Sequence, residues 1–230
     1  MDFSKFEDSA GIHFNDKALL RQAFTHRSYL NENRASGLEH NERLEFLGDA
    51  VLELVITDYL YKRFTEMNEG ELTSLRSALV NWDTCATVAT SLGANDFLLL
   101  SKGETKDTGR ARQYILANTL EAIIGALYMD QGFEVAREFI SKHIASLAEN
   151  IIEKGTWIDA KSSFQAEAQE HEGITPSYKT IKESGPDHDK HFVIGVYLNT
   201  EKIAEGAGQS KQDAEQVAAR NALENKGWDK

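Results

Sequence analysis

Apolar residues recur at helical spacing through the first two thirds of the chain, from Asp16 to about Glu149. The stretch "DKALLRQAFTHRSYL" carries Leu19, Leu20 and Phe24, and the stretches "ELTSLRSALVNWDTCATVATSLG" and "FEVAREFISKHIASLAENII" repeat the pattern. Such a period places apolar side chains along one face of a helix. Gly, Asn, Asp and Ser cluster between the periodic stretches, which is typical of loops. We therefore predict that this part of the chain is all helical.

The pattern changes after "EKGTWIDAK". A short helical stretch leads to three runs, "SYKTIKES", "KHFVIGVYLN" and "EKIAEGA", and the middle run alternates Phe192, Ile194, Val196 and Leu198 on one face. Alternation with a period of two indicates a half-buried strand. The last stretch, "SKQDAEQVAARNALENKG", has an apolar helical stripe and a capping-box pattern that begins at Ser210. The order α-β-β-β-α in about 70 residues is typical of a small complete domain.

A chain of 230 residues is long enough for two ordinary domains. We predict an all-α domain at residues 1–152, a linker at residues 153–157, and an α+β domain of α-β-β-β-α order at residues 158–230. With 41% hydrophobic residues and only 2 Pro, the composition is that of a chain that is folded throughout.

The net charge of -12 argues against broad electrostatic attraction to nucleic acid or to an anionic membrane, so any polyanion must bind locally. Residues 156–230 hold 9 Lys and Arg against 13 Asp and Glu, a net charge of -4, which leaves -8 for the first part. The chain start lacks a signal-peptide pattern, and no apolar run approaches the roughly 18 residues of a membrane span. The single Cys85 cannot form an internal disulfide and lies in an apolar helical pattern. We expect a soluble, cytoplasmic protein with no membrane partner and a buried thiol.

Three carboxylates, Glu42, Glu45 and Asp49, interrupt the otherwise apolar helical stretch "HNERLEFLGDAV". At about 100° per residue they fall within an arc of about 60°. The predicted core stripe lies on the other side of the helix and consists of Leu44, Leu47, Val51, Leu54 and Val55. Like charges on successive turns repel one another, and a bound Mg²⁺, which takes oxygen ligands, would offset that repulsion. A solvated surface face is the alternative interpretation of this spacing.

Two further features favour a metal site. Phe46 lies beside the carboxylates and away from the core stripe, where a large aromatic side chain indicates a protein contact such as a dimer interface. Glu121 lies inside the strongly apolar stretch "ILANTLEAIIGALYMD", where an unpaired carboxylate would be costly. A metal shared between the two helices would relieve that cost.

The stretch "HNERLEFLGDAVLELVI" resembles the signature of bacterial ribonuclease III, and "FTHRSYLNEN", "EGELTSLRSALVN" and "ILANTLEAIIGALYMD" resemble its flanking motifs. Residues 158–228 resemble the double-stranded-RNA-binding domain of that family. The resemblance implies an endonuclease domain that forms a homodimer and a second domain that recognises RNA duplexes. It also implies Mg²⁺-dependent hydrolysis of double-stranded RNA, with Mn²⁺ as an alternative ion. The implied products carry 5′-phosphate and 3′-hydroxyl ends, and the implied role is processing of ribosomal and other structured RNA.

The resemblance assigns roles to individual residues. Glu45, Asp49, Asn118 and Glu121 match the metal-centre positions, with Asp49 and Glu121 as the catalytic pair, and Phe46 matches an aromatic plug into the partner subunit. The implied RNA contacts are Glu42, Lys102, Lys106, Arg110 and Arg112 in the first domain and Lys161, Gln165, His188 and Lys211 in the second. Lys211 also lies in the first turn of its predicted helix, where a cation opposes the helix dipole. A cation at this position therefore indicates that a phosphate binds there. For each RNA contact taken alone, a solvated surface role is the alternative.

Asn118 departs from the family pattern, which usually has Asp at that position of "L-A-D-x-x-E-A". An amide oxygen can ligate Mg²⁺ or hold one of its waters, but it brings no negative charge and cannot act as a base. Three interpretations follow: an active natural variant with weaker metal affinity, a chain altered to trap substrate, or a double-stranded-RNA-binding protein with impaired cleavage. We favour the active variant because Glu45, Asp49 and Glu121 are all retained. A helical assembly protein with no RNA role is a further class, against which the α-β-β-β-α pattern argues.

Overall fold

The computed structural model describes residues 2–155, 157, 159–186 and 190–228. The chain divides into two compact units, Met1–Trp157 and Ile158–Lys230. In the described residues the first unit consists of helices and their connections, and the second has a three-stranded sheet with a helix before it and a helix after it. The predicted fold class, an all-α domain followed by an α+β domain, is therefore confirmed. In this described part of the chain, no helix has both the length and the apolar character needed to cross a membrane.

Helices α1 to α10 form the first unit. Their bounds are α1 Ser4–Ala10, α2 Lys17–Ala23, α3 Arg27–Glu32, α4 Glu42–Arg63, α5 Glu69–Val80, α6 Trp82–Ser91, α7 Lys102–Lys106, α8 Arg110–Gln131, α9 Phe133–His143 and α10 Ala148–Glu153. Short 3₁₀ turns occupy Arg34–Ser36, Ala94–Phe97 and Ala145–Leu147. The long helices α4 and α8 pack against each other, and α2, α6 and α9 pack against α8.

The charges at the ends of α4 suit its helix dipole. Glu42 and Glu45 lie in the first turn, and Lys62 and Arg63 lie in the last turn. Acidic groups near a helix N-terminus and basic groups near its C-terminus each stabilise the helix by about 0.3–1 kcal/mol. The N-terminal carboxylates therefore help α4 to begin where it does, in addition to any role at the surface.

The core of the first unit contains most of the stripe predicted on α4. Leu44, Val51 and Val55 are buried, and Leu47 packs against the core. Leu54, however, is 57% exposed, so its assignment to the core was wrong. Leu54 lies at the margin of the stripe, on the side nearest Phe46, where helix packing does not cover it.

The second unit is an antiparallel meander of order β1-β2-β3. Its elements are α11 Ala160–Glu172, β1 Ser177–Ser184, β2 His191–Leu198, β3 Glu201–Gly208 and α12 Lys211–Lys226. The four alternating residues of β2, Phe192, Ile194, Val196 and Leu198, are all buried, as predicted. Val196 and Leu198 pack with Phe164 of α11 and with the alanine stripe of α12.

Helix α12 lies close against β3. A Cβ atom built on Gly206 would lie 2.2 Å from the backbone nitrogen of Ala218, so only glycine fits at this contact. At the start of the helix the Asp213 N–H donates to the Ser210 hydroxyl oxygen at 3.1 Å, and the Ser210 hydroxyl donates to the Asp213 carboxylate at 2.6 Å. Half of the predicted capping box is therefore present, because the carboxylate accepts from the hydroxyl and not from the backbone of Ser210.

Candidate acidic centre and RNA-binding surfaces

Helices α4 and α8 cross at a pair of glycines, and this contact brings acidic residues together. A Cβ atom built on Gly48 would lie 1.8 Å from the carbonyl oxygen of Glu121, and one built on Gly125 would lie 2.1 Å from the carbonyl oxygen of Leu44. Side chains larger than hydrogen cannot fit at either position. Because Asp49 directly follows Gly48, the crossing sets Asp49 of α4 beside Glu121 of α8.

The negative charges of this cluster act on the carboxyl groups of Glu121 and Glu45. Burial, followed by the negative charges of Asp49 and Glu45, raises the pKa of the Glu121 carboxyl to about 8. Burial also raises the pKa of Glu45, with contributions from Glu42 and Asp49, while a hydrogen bond from the Asn118 side chain opposes the rise. Desolvation and like charges both penalise the ionised form of a carboxyl group. Among the described side chains no cation forms an ion pair with these three carboxyl groups, so ionising all of them together is unfavourable without a bound cation.

The donor set of this centre suits a hard divalent cation. Three carboxyl groups and the amide of Asn118 offer oxygen ligands, and Mg²⁺ commonly binds through only a few carboxylates together with waters and substrate phosphates. Within the described residues, no group of three or more His, Cys, Asp and Glu side chains converges tightly enough to hold a metal ion alone. The fit therefore rests on the donor chemistry and on the raised pKa of Glu121, not on a closed ring of ligands.

Cys85 is fully buried, which confirms the expected buried thiol. Burial, with smaller contributions from the charges of Glu121 and Asp49, raises the pKa of the Cys85 thiol to about 12. A thiol with that pKa is protonated at neutral pH and is a poor nucleophile. The acidic centre thus has no activated cysteine beside it.

Glu42 stands at the rim of the centre. Its carboxylate lies 3.4 Å from Nη1 of Arg27 and 3.7 Å from Nδ1 of His40. The nearby His26 caps helix α3, because its Nδ1 accepts a hydrogen bond from the Ser28 N–H at 3.3 Å. Burial lowers the pKa of His26. These contacts give His26 a supporting structural role at the edge of the site.

Phe46 is 81% exposed on the same helix as the carboxylates. Further along α4, Leu54 and Tyr61 are 57% and 73% exposed. The separations of eight and seven residues place these three side chains on one face of the helix. This exposed apolar stripe is the kind of surface that a protein partner covers.

The basic segment before α8 contains the short helix α7. Lys102, Lys106 and Arg110 are exposed, as RNA contacts require. Arg112 is only 9% exposed; its Nη1 donates to Oδ1 of Asn95 at 3.0 Å and its Nη2 donates to the carbonyl oxygen of Glu104 at 2.6 Å. The assignment of Arg112 as a phosphate contact was therefore wrong. Two residues along a helix turn the side chain by about 200°, so Arg112 faces inward where Arg110 faces outward.

In the second unit, a groove of about 590 Å³ lies between the first turns of α11 and α12. Gln165 and Lys211 line it and are exposed. Lys161 also lines it, but its ammonium is paired with the Glu215 carboxylate and lies 5.0 Å from the centre of the Tyr178 ring. A phosphate would have to compete with Glu215 for Lys161. His188, the fourth predicted contact, lies outside the described residues.

Comparison with known families identifies both units. The sequence model of the Ribonuclease-III-like family matches residues 16–147, and the double-stranded RNA binding motif matches residues 160–226. The fold and the site thus define a helical nuclease domain joined to a double-stranded-RNA-binding domain.

Similarity to known proteins also extends over nearly the full chain. It is 44% identical to ribonuclease 3 of Oceanobacillus iheyensis over 98% of both chains, and 46% identical to ribonuclease 3 of Anoxybacillus flavithermus over 96% of this chain and 92% of that one. A solved nuclease domain of ribonuclease III from Campylobacter jejuni covers 62% of this chain and 98% of its own, with 43% identity and a TM-score of 0.55; it is described as flexible in a region involved in dimer formation. The chain belongs to the ribonuclease III family and is an endoribonuclease of that type.

Sequence reasoning missed the two glycines that create the site. Gly48 and Gly125 lie inside helical patterns, where glycine costs about 1 kcal/mol relative to alanine. An interior glycine in a long helix is the signal that could have revealed a close crossing. The contact between the rings of Trp82 on α6 and Tyr114 on α8, whose centres lie 4.7 Å apart, was missed as well, and spacing along the sequence offers no signal for it.

Proposed function

We propose that this chain hydrolyses phosphodiester bonds of double-stranded RNA with Mg²⁺, leaving 5′-phosphate and 3′-hydroxyl ends, and that it acts on ribosomal and other structured RNA. Mn²⁺ is the alternative ion. The observation that carries the proposal is the grouping of Glu45, Asp49 and Glu121 at the glycine crossing, where burial and mutual repulsion raise the pKa of Glu121 to about 8. Such a concentration of carboxyl groups at a helix surface is unfavourable unless a cation offsets it.

Each residue of the centre has a distinct proposed role. Glu45, Asp49 and Glu121 provide the anionic oxygens, with Asp49 and Glu121 nearest the reacting phosphate. Mg²⁺, when bound, lowers the pKa of a water and neutralises charge on the leaving oxygen. Asn118 orients Glu45 by hydrogen bonding and offers a neutral oxygen, but its amide cannot take a proton. A bound cation would favour the ionised form of Glu121, and burial of this carboxyl group would keep bulk water from screening their attraction.

Two surfaces are proposed to bind the duplex. Lys102, Lys106 and Arg110 are exposed on α7 and at the start of α8, the helix that carries Asn118 and Glu121, and are proposed to contact the backbone of one strand. In the second unit, Gln165 and Lys211 border the groove between α11 and α12. Duplex RNA is recognised mainly through its shape, 2′-hydroxyls and phosphates, which polar and cationic side chains at a helix start can contact.

A homodimer is proposed to form through the exposed stripe of α4. Phe46 borders the carboxylates and is the most exposed of the large apolar residues among those described. Its position beside the acidic centre agrees with a plug into a second copy of the chain. One acidic centre from each copy would then serve each strand of the duplex.

The second candidate function is duplex binding with impaired cleavage. Its supporting observation is Asn118, whose neutral side chain contacts Glu45 where a further carboxylate would add to the metal affinity. The two candidates differ in what the native chain does to a long RNA duplex in Mg²⁺. We expect the native chain to cut, and the Asn118→Asp variant to cut at lower Mg²⁺ concentrations. If the native chain binds the duplex without cutting it and only Asn118→Asp cuts, the binding function replaces the first proposal.

A further inference from the structure

Two aromatic side chains hold Arg110 in place at the surface of the first unit. The rings of Trp82 and Tyr114 lie 4.7 Å apart at an interplanar angle of 35°. The guanidinium carbon of Arg110 lies 5.5 Å from the centre of the Trp82 ring and 5.6 Å from that of Tyr114, and Nη2 donates to the Tyr114 hydroxyl at 3.1 Å. Trp82 is partly buried against the helical core, so it anchors the pair. Arg110 is therefore exposed and yet held by three contacts.

The position of this cluster relates it to the acidic centre. On α8, Arg110, Tyr114 and Asn118 follow one another at intervals of four residues, and all three are exposed. They fall within an arc of about 80°, and Arg110 and Asn118 lie about 12 Å apart along the helix axis. An RNA strand that reaches the carboxylates along this face would pass Arg110 first.

The guanidinium of Arg110 is oriented but not neutralised. Across residues 2–155 and the other described ranges, no ion pair joins Arg110 to a carboxylate, and its recorded hydrogen bond goes to the neutral Tyr114. It lies in the first turn of α8, which has neither an acidic residue nor a side-chain cap. A cation at that end opposes the helix dipole, and an anion bound there would reverse the penalty. The remaining guanidinium donors form the planar fork that suits a phosphate.

Stacking of an RNA base on the aromatic pair is the competing explanation. The guanidinium already lies over both rings, so a base could stack there only after displacing Arg110. The aromatic pair is better suited to holding the cation, since a preordered arginine loses less rotamer freedom on binding a phosphate. We infer that Trp82 and Tyr114 are positioning residues that hold Arg110 as a phosphate-binding group for the RNA strand that enters the acidic centre.

This inference rests on the proposed duplex cleavage, and a double-mutant cycle tests it on the full chain. Tyr114→Ser, Arg110→Ala and the double variant are compared by kcat and KM on a long RNA duplex at several salt concentrations. We expect Arg110→Ala to raise KM about tenfold, to leave kcat within about twofold, and to lower the salt-dependence slope by about one. Tyr114→Ser should raise KM in the native background and have no further effect in Arg110→Ala, because the ring acts only through the arginine.

Lys106→Ala is the matched control, because Lys106 is an exposed cation that no aromatic ring holds within the described contacts. When Lys106→Ala and Tyr114→Ser are combined in one chain, their separate effects on KM should multiply. Tyr114→Phe keeps the ring and removes the hydroxyl, so it should raise KM less than Tyr114→Ser does. It takes the place of the Ser variant if thermal unfolding shows that the Ser variant is destabilised. If the effects of Tyr114→Ser and Arg110→Ala on KM multiply in the double variant while the native chain cleaves duplex RNA, the positioning role alone is overturned. A native chain that does not cut duplex RNA would overturn the proposed function as well.

Discussion

Replacing Gly48 with alanine tests whether the glycine crossing builds the acidic centre. The added methyl group would lie 1.8 Å from the carbonyl oxygen of Glu121 and 2.8 Å from the backbone nitrogen of Gly125. Since real Cβ contacts essentially never fall below 3.0 Å, α4 and α8 must separate by about 1 Å or more. Overpacking of this kind costs about 1–3 kcal/mol, and the better helix propensity of alanine offsets about 1 kcal/mol of that.

The catalytic effect of Gly48→Ala should exceed its effect on stability. A displacement of about 1 Å between reacting groups can reduce a rate by about 100-fold. We expect thermal unfolding followed by circular dichroism to show a lower Tm, and duplex RNA cleavage at a temperature where the variant is folded to fall by about that factor. Gly103→Ala, where the new Cβ would lie 3.8 Å from the Ser101 hydroxyl, is the control and should keep or slightly raise the native Tm. A Gly48→Ala chain with native Tm and native cleavage would refute the role given to the crossing.

Three other predictions follow from the same geometry. Phe46→Ala should weaken self-association in sedimentation velocity, whereas Met129→Ala, which removes another large apolar residue at 58% exposure, should not; equal effects would count against the plug. Arg112→Ala should destabilise the fold by about 1.5–3 kcal/mol in urea unfolding, because a charged donor loses two buried hydrogen bonds, whereas Lys106→Ala should unfold like the native chain. The folded pKa of Glu121, about 8, lies above its ordinary 4.5, so this group favours the folded chain most below pH 4.5 and loses that contribution as the pH rises to 8. Without divalent cations, Glu121→Gln should therefore gain stability relative to the native chain between pH 5 and pH 8, and a constant difference over that range would contradict the raised pKa.

The fold could be predicted from the sequence because local periodicity reflects it directly. The alternation of Phe192, Ile194, Val196 and Leu198 depends only on which side of β2 each residue faces, and all four are buried. Leu54 was misplaced because a helical wheel gives the direction of a side chain but not whether another helix covers it. Val55, at the opposite margin of the stripe, is buried.

The site was less predictable because it depends on contacts between distant segments. The wheel groups Glu45 with Asp49, but the effect of these two residues on Glu121 arises from the approach of backbone to backbone at Gly48. Arg110 and Arg112 look alike in "TGRAR", yet one is held at the surface by aromatic rings and the other is buried against Asn95. Side chains of the same chemical type thus take different roles through helical phase and through partners that lie far along the chain.

The acidic centre itself is tested most directly by single-turnover cleavage of a long RNA duplex in Mg²⁺ by the native chain and by Glu121→Gln. The substitution keeps the shape of the side chain and removes its charge, so binding of the duplex without Mg²⁺ should be unchanged. We predict that the native chain cuts the duplex and that the variant cuts slower by a factor on the order of 100 or more. Cleavage by Glu121→Gln at the native rate would contradict the assignment of this carboxyl to the catalytic centre.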